Sequence, residues 1–170
     1  MTKLMEQEKT TVHENLKLQV RRTIRAPRSR VYEAWIKPER IQQWFGGGER
    51  NVQSVSADPR VGGVYRIAMQ GACDGPTAAA DAKKADAVPA SVATGHYTEI
   101  VPNERLVFTW TGNWNAAETT LVTVVFLDAA NGKGTEVILT HERFATVESM
   151  GRHEQGWNVC LEGLAKVCEA

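Results

Sequence analysis

A chain of 170 residues, 42% hydrophobic and 24% charged, has the make-up of a soluble globular fold and is long enough to bury one sizeable core. Lysine plus arginine equals aspartate plus glutamate at 20 each, so no overall field draws it to nucleic acid or to an anionic membrane. The polar opening residues hold no signal-peptide run, and nothing later approaches about 18 consecutive apolar residues, so a cytoplasmic protein outside any membrane is expected.

In chain order, residues 1–14 read as a loosely held arm and residues 15–170 as one domain. From Asn15 to Ala26 the sequence alternates through Leu16, Leu18, Val20 and Ile24, the period of a strand with one polar face. The alternation slips at Arg21 and Arg22, which predicts a bulge there. Pro27 ends the strand and presets the first turn of a helix through Val31, Ala34 and Trp35. Pro38 stops that helix, and PERIQQWF restarts it. Gly46, Gly47 and Gly48 then terminate the second helix; a glycine run that follows a helix, with no Lys-Ser/Thr behind it, does not cradle phosphate. NVQSVSAD reads as a strand, DPRVGG as a turn and VYRIAM as a strand with Tyr65, Ile67 and Met69 on one side.

Residues 71–92 break the pattern. They are rich in alanine, contain Pro76 and Pro89, and carry no large apolar residue except Val88 and the closing Val92, so they cannot bury a core of their own. The insertion is either a passive, mobile surface loop or a lid over a cavity. Beyond it, ATGHYTEIV, RLVFTWTG, ETTLVTVVFLD and TEVILTHERF are β-rich runs bounded by turn residues. Their short connections require antiparallel neighbours, because a parallel return needs a crossover of about a dozen residues.

The last segment, Thr146 to Ala170, is the longest amphipathic element. Met150, His153, Trp157, Cys160, Leu161, Leu164, Val167 and Cys168 recur at helical steps, an apolar stripe with one imidazole in it. Gly151, Gly156 and Gly163 cost the helix about 1 kcal/mol each, less than the roughly 1.5–3 kcal/mol regained by burying each of Met150, Trp157, Leu161 and Leu164. Gly156 and Gly163 share one flank of the stripe, which points to a close approach by another backbone or by a ligand. Cys160 and Cys168 lie about 12 Å apart along the helix, too far for a disulfide, and with Cys73 they form no metal-like pair. They read as small buried hydrophobes, and neither a metal site nor a cofactor is expected.

One strand, two short helices, six further strands and a long helix make an α+β fold. The seven-stranded antiparallel sheet has an apolar face, and only the C-terminal helix is long enough to cover it. A curved sheet cannot touch a straight helix along its whole length, so a gap opens between them, and a gap lined by aromatic residues is the form of a small-molecule site.

In order, APRSRVYEAWIKPERIQQWF, PRVGGVYRIAM, GHYTEIVPNERLVFTW, ETTLVTVVF, GTEVILTHERF and GWNVCLEGL resemble the family similar to the C-terminal domain of the activator of the Hsp90 ATPase. That family belongs to the START-like, or Bet v 1-like, superfamily. The resemblance runs from about Leu16 to the C-terminus and implies the helix-grip fold, with a cavity used across the superfamily for apolar molecules. It implies no reaction, since one scaffold carries many functions. The insertion at 71–92 is longer than the family pattern expects, and the arm at 1–14 has no counterpart in it.

The leading expectation is therefore binding of an apolar or aromatic small molecule between sheet and C-terminal helix. The candidate contacts are Trp35, Trp44, Phe45, Tyr65, Tyr97, Phe108, Trp110, His153 and Trp157. His153 is either a core histidine bonded to a carbonyl or strand side chain, or a group that orients a ligand or acts as general base. The alternatives are an enzyme of cyclase, hydrolase or isomerase type in the same cavity, and a chaperone or other protein contact as the family name implies. A homodimer is left open. In THERF, strand alternation sends His141 and Arg143 to one face and Thr140, Glu142 and Phe144 to the other, with the inward face undetermined. His96 is expected to be solvated unless it meets His141 or Glu142 across strands, and Arg21, Arg22, Arg25, Arg28 and Arg30 read as a solvated basic face.

Overall fold

The structure is a computed structural model that describes residues 16–48, 51–70 and 91–170. The expected arm at 1–14, most of the insertion and Cys73 lie outside the described residues. The elements are β1 (Lys17–Ile24), α1 (Arg28–Ile36), α2 (Pro38–Trp44), β2 (Val52–Ala57), β3 (Val64–Met69), β4 (Ser91–Val101), β5 (Arg105–Gly112), β6 (Thr119–Asp128), β7 (Thr135–Glu142) and α3 (Val147–Glu169). All seven strands form one antiparallel sheet in the order β1-β7-β6-β5-β4-β3-β2, which places the first two strands at opposite edges. This is an α+β helix-grip fold. Among the described residues no helix is long and apolar enough to cross a membrane.

The two-residue period of each strand selects what faces inward. Leu18, Val20 and Ile24 of β1, Val137, Leu139 and His141 of β7, Val122, Val124 and Phe126 of β6, and Leu106, Phe108 and Trp110 of β5 are buried on that face. The expected bulge in β1 is absent, for the β1–β7 register runs unbroken from Lys17 to Ile24. Arg22 keeps the inward parity on an edge strand yet is exposed; a long cationic side chain that reaches water imitates a slip of phase in the sequence. The irregular pairings lie instead between Val52 and Ser54 in β2 and between Tyr97 and Glu99 in β4. Strand β4 also begins earlier than the sequence pattern shows, so Ser91 and Val92 belong to the sheet and not to the insertion.

Pro27 stands one position before α1, with φ −66° and ψ 152°, where it caps the helix instead of opening its first turn. The glycines after α2 all take positive φ, 60° at Gly46, 96° at Gly47 and 119° at Gly48, which turns the chain away from the helix axis. Helix α3 is closed at its start by Thr146, whose Oγ1 accepts from the Ser149 N–H at 3.1 Å. Its buried stripe is His153, Trp157, Cys160, Leu161, Leu164, Ala165 and Cys168, with Met150 and Val167 half-buried at the margin. Burial pushes the Cys160 thiol up to about 12 and that of Cys168 up to about 11, which makes both poor nucleophiles. The basic cluster disperses over the surface: Arg21 pairs with Glu136 at 3.2 Å, Arg25 with Glu169 at 3.6 Å and Arg28 with Asp128 at 2.9 Å.

The close approach expected at Gly163 is to a backbone. A Cβ there would stand 2.7 Å from the carbonyl oxygen of Trp44, so α3 rests against the end of α2 only because this residue has no side chain. At Gly151 a Cβ would meet nothing within 4 Å. Alanine should therefore act oppositely at the two sites. Gly151→Ala should gain about 0.5–1 kcal/mol from helix propensity and raise the melting temperature by a few degrees. Gly163→Ala should lose about 1–3 kcal/mol to overpacking in spite of the same propensity gain. Equal shifts of the same sign in thermal unfolding would contradict this packing.

Candidate functional site

Two imidazoles and two indoles meet where α3 crosses the middle of the sheet. Trp110 comes from β5, His141 from β7, and His153 and Trp157 from successive turns of α3. The pairs cross: the Trp110 Nε1–H donates to His153 Nε2 at 3.2 Å, and the Trp157 Nε1–H donates to His141 Nδ1 at 2.9 Å. Each bond joins the helix to a strand.

The remaining ring nitrogens fix the tautomers. His153 Nδ1 lies 2.7 Å from the Ser149 carbonyl oxygen, which can only accept, so the proton of this ring sits on Nδ1. His141 accepts at Nδ1, so its proton sits on Nε2 and points to Thr120 Oγ1 at 2.6 Å. The Thr120 hydroxyl passes its own proton to the Trp110 carbonyl at 3.1 Å. Glu118 anchors the other end: its carboxylate accepts from the Ser149 hydroxyl at 2.7 Å and from the Ala145 N–H at 2.9 Å. Every donor in this chain has an acceptor, as a buried polar network requires.

His141 is fully buried, and burial, with His153 close by, holds it well below the usual imidazole range. A second proton on its ring would face the indole N–H of Trp157, donor against donor. The ring packs at 4.3 Å centroid separation, its plane tilted by 44°, on Phe144, which strand alternation places on the opposite face. The alternation fails because Arg143 adopts φ 72°; this turn beyond β7 brings Phe144 inward beside His141. The inward face of β7 is thus that of Thr135, Val137, Leu139 and His141. His96 is exposed, bonded through Nδ1 to Thr109 Oγ1 at 3.2 Å, and meets neither His141 nor Glu142.

The nine candidate contacts divide between two cavities. Trp35, Trp44, Tyr65, Tyr97 and Phe108 line only an inner void of about 30 Å³ in the gap between sheet and helices. His153 lines only an outer pocket of about 350 Å³ beside the first turns of α3. Phe45, Trp110 and Trp157 border both. The gap expected between sheet and helix is therefore largely closed by ring-to-ring packing, and the larger of these two cavities lies toward the N-terminal end of α3. Spacing does not reveal Ser91, Trp114, Asn115, Ser149 and Arg152, which border the outer pocket, as does Gly156. Gly156 alone carried a signal, as a glycine on the flank of the apolar stripe. Among the described residues no group of three or more His, Cys, Asp or Glu is arranged to hold a metal ion.

Tyr65 explains why the inner wall is tight. It pairs with Gly95 of β4, lies across the space that a side chain there would fill, and donates its hydroxyl to the Thr109 carbonyl of β5. A Cβ at Gly95 would stand 2.7 Å from the tyrosine oxygen and 1.9 Å from the Thr109 oxygen. Burial raises the Tyr97 hydroxyl to about 12, so both tyrosines stay neutral donors at any ordinary pH.

The neutral state of His141 has a measurable cost in acid. The folded ring resists protonation and the unfolded ring takes a proton near 6.5, so below that value the unfolded chain binds more protons and stability falls. Unfolding in urea should lose up to about 1.4 kcal/mol per pH unit from this residue between about 6.5 and 5. The loss should be shallower in His141→Gln; identical slopes for the two proteins would contradict a buried neutral imidazole.

The sequence matches the family described as Activator of Hsp90 ATPase homolog 1-like protein over residues 25–169. No curated protein matches it. Among solved structures, a Chromobacterium violaceum protein is similar at 21% identity and TM-score 0.70, covering 91% of this chain and 97% of its own. A Rhizobium leguminosarum protein is similar at 27% identity and TM-score 0.66, with 92% and 95% covered. The AHSA1-like protein from Aeromonas hydrophila is similar at 21% identity and TM-score 0.66, with 89% and 90% covered. These likenesses agree with the sheet order and the long final helix, and the family match extends over most of the sequence: the chain belongs to the Activator of Hsp90 ATPase homolog 1-like family.

Proposed function

We propose that this protein binds an aromatic or largely apolar small molecule between the inner face of the sheet and the N-terminal half of α3. The observation that carries the reading is the wall shared by the two cavities, Phe45, Trp110 and Trp157. The indole N–H groups of that wall are already spent on His141 and His153, so it offers a guest ring faces and not unsatisfied donors. Offset and edge-on ring contacts contribute about 0.5–1.5 kcal/mol beyond the area they bury. An outer pocket of about 350 Å³ lies at the lower end of the size range of small-molecule sites, about 300–1,000 Å³.

His153 is a positioning residue in this reading. Its Nε2 lone pair is directed at the Trp110 N–H and its Nδ1 proton at the Ser149 carbonyl, so service as a general base would first require the indole bond to break. Held by both bonds, the imidazole fixes the plane of Trp110 and forms the polar margin of the pocket. The binding reading is favoured over catalysis for that reason.

Thermal shift against a panel of flat aromatic compounds tests the proposal. A compound at 100 times its dissociation constant adds about 2.7 kcal/mol to stability, an increase of several degrees for a protein of this size. Gly156→Leu, which places a side chain at the pocket wall, should melt cooperatively without ligand and lose the ligand-dependent shift. His153→Phe should weaken binding because Trp110 loses the acceptor that orients it. No shift across a broad panel, or shifts unchanged in both variants, would end the reading.

A further inference from the structure

The outer pocket has a polar end beside its aromatic floor. Ser91 opens β4 on the inward side of the sheet, in step with the buried Ala93 and Tyr97, and is only 4% exposed. It lines the pocket, and its hydroxyl makes no hydrogen bond to any described residue. A polar side chain this buried nearly always has a partner in a native structure. Here the oxygen is open to the pocket and not sealed in the core, so a guest in the pocket is within its reach.

The helix adds a charge to the same pocket. Arg152 of α3 borders it between Ser149 and Gly156, at spacings that share one helical face. Its guanidinium makes no ion pair or hydrogen bond to any described residue. Glu148, one turn earlier, also lines the pocket, yet the two do not meet, whereas the same spacing on the same helix joins Lys166 to Glu162 at 3.5 Å. The donors outnumber the carboxylate. Arg152 presents a planar fork that matches a carboxylate in two parallel bonds, and the Ser91 hydroxyl and the exposed Asn115 carboxamide can donate into the same space. Glu148 can only accept, and it stands exposed at the first turn of the helix.

We propose that the guest of the outer pocket is an aromatic acid, its rings on Trp110 and Trp157 and its carboxylate accepting from the Ser91 hydroxyl and the Arg152 guanidinium. This rests on the binding reading above and narrows it from apolar molecules in general to flat aromatic rings that carry one carboxylate. The long, exposed side chain of Arg152 can swing over a pocket of about 350 Å³ to meet an anion held by Ser91. Because Arg152 is exposed, the pairing costs it little desolvation and is weakened by salt. A neutral amide of the same shape satisfies Ser91 and leaves the charge of Arg152 unmatched. An ammonium in that place meets like charge.

Naphthoate, naphthamide and naphthylmethylammonium share a ring system and differ in charge, which makes them the probes. Calorimetric titration at low ionic strength should show naphthoate bound about fivefold more tightly than the amide, the worth of one exposed ion pair, and the ammonium bound more weakly than either. Arg152→Gln should abolish the preference for the acid and leave the affinity for the amide unchanged. Added salt should shrink the preference in the wild type and have no such effect in the variant. Ser91→Ala should weaken the acid and the amide alike, by about fivefold, the worth of one hydrogen bond. Arg152 is exposed and Ser91 loses only a hydroxyl, so both variants should melt as the wild type does. Equal affinities for acid and amide in the wild type, a preference unchanged in Arg152→Gln, affinities unchanged in Ser91→Ala, or tighter binding of the ammonium would overturn the assignment and leave the aromatic site standing. Failure of all three probes to bind would remove the site and the assignment together.

Discussion

The crossed pair of indole-to-imidazole hydrogen bonds is the constraint on which the arrangement of helix and sheet depends. Apolar packing alone is indifferent to small slides of a helix over a sheet, since any register that buries the stripe recovers nearly the same area. A buried donor and acceptor are not indifferent. Moving α3 by one turn would strand two indole N–H groups and two imidazole nitrogens in the core, each at about 1–3 kcal/mol. With His153 on Trp110 and Trp157 on His141, one register satisfies all four. The apolar stripe supplies the stabilisation, and the polar pairs decide where it is applied.

The same network shapes the wall between the two cavities. A cavity wall of tryptophans ordinarily presents N–H groups as well as ring faces, and here the wall has spent its donors internally. Glu118 and Ser149 extend the network to the first turn of α3, so the rim of the outer pocket is tied to the segment just before β6 by a carboxylate and not by packing alone. The outcome is an aromatic floor under an opening that Phe45 and Gly46 also border, where the chain turns through three glycines at positive φ.

Much of this was legible in the sequence, because periodicity reports burial and burial decides the fold. The α3 stripe, the paired helices around Pro38, the six later strands and the inward place of His153 all follow from three- and two-residue spacings. What was not legible was governed by single residues with unusual backbones or by contacts across strands. Strand alternation puts Phe144 on the wrong face because nothing in THERF signals that Arg143 turns to positive φ. Spacing leaves His141 unplaced because its partners, Thr120 and Trp157, lie 21 and 16 residues away and depend on strand register and helix position. The division of the aromatic candidates between a small void and a larger pocket depends on how tightly Tyr65 lies over Gly95, and spacing carries no information about that. Arg22 shows the converse error, a polar residue at an inward position read as a bulge when its length simply carried it to water.

The most direct test of the account is the protonation of the two ring systems. Long-range 1H–15N correlation spectra of uniformly labelled protein near neutral pH distinguish a protonated from an unprotonated imidazole nitrogen. The crossed bonds require opposite tautomers in one core, the proton on Nε2 in His141 and on Nδ1 in His153. The same tautomer in both, or fast exchange between the two forms at either ring, would mean that the crossed bonds do not hold α3 against the sheet.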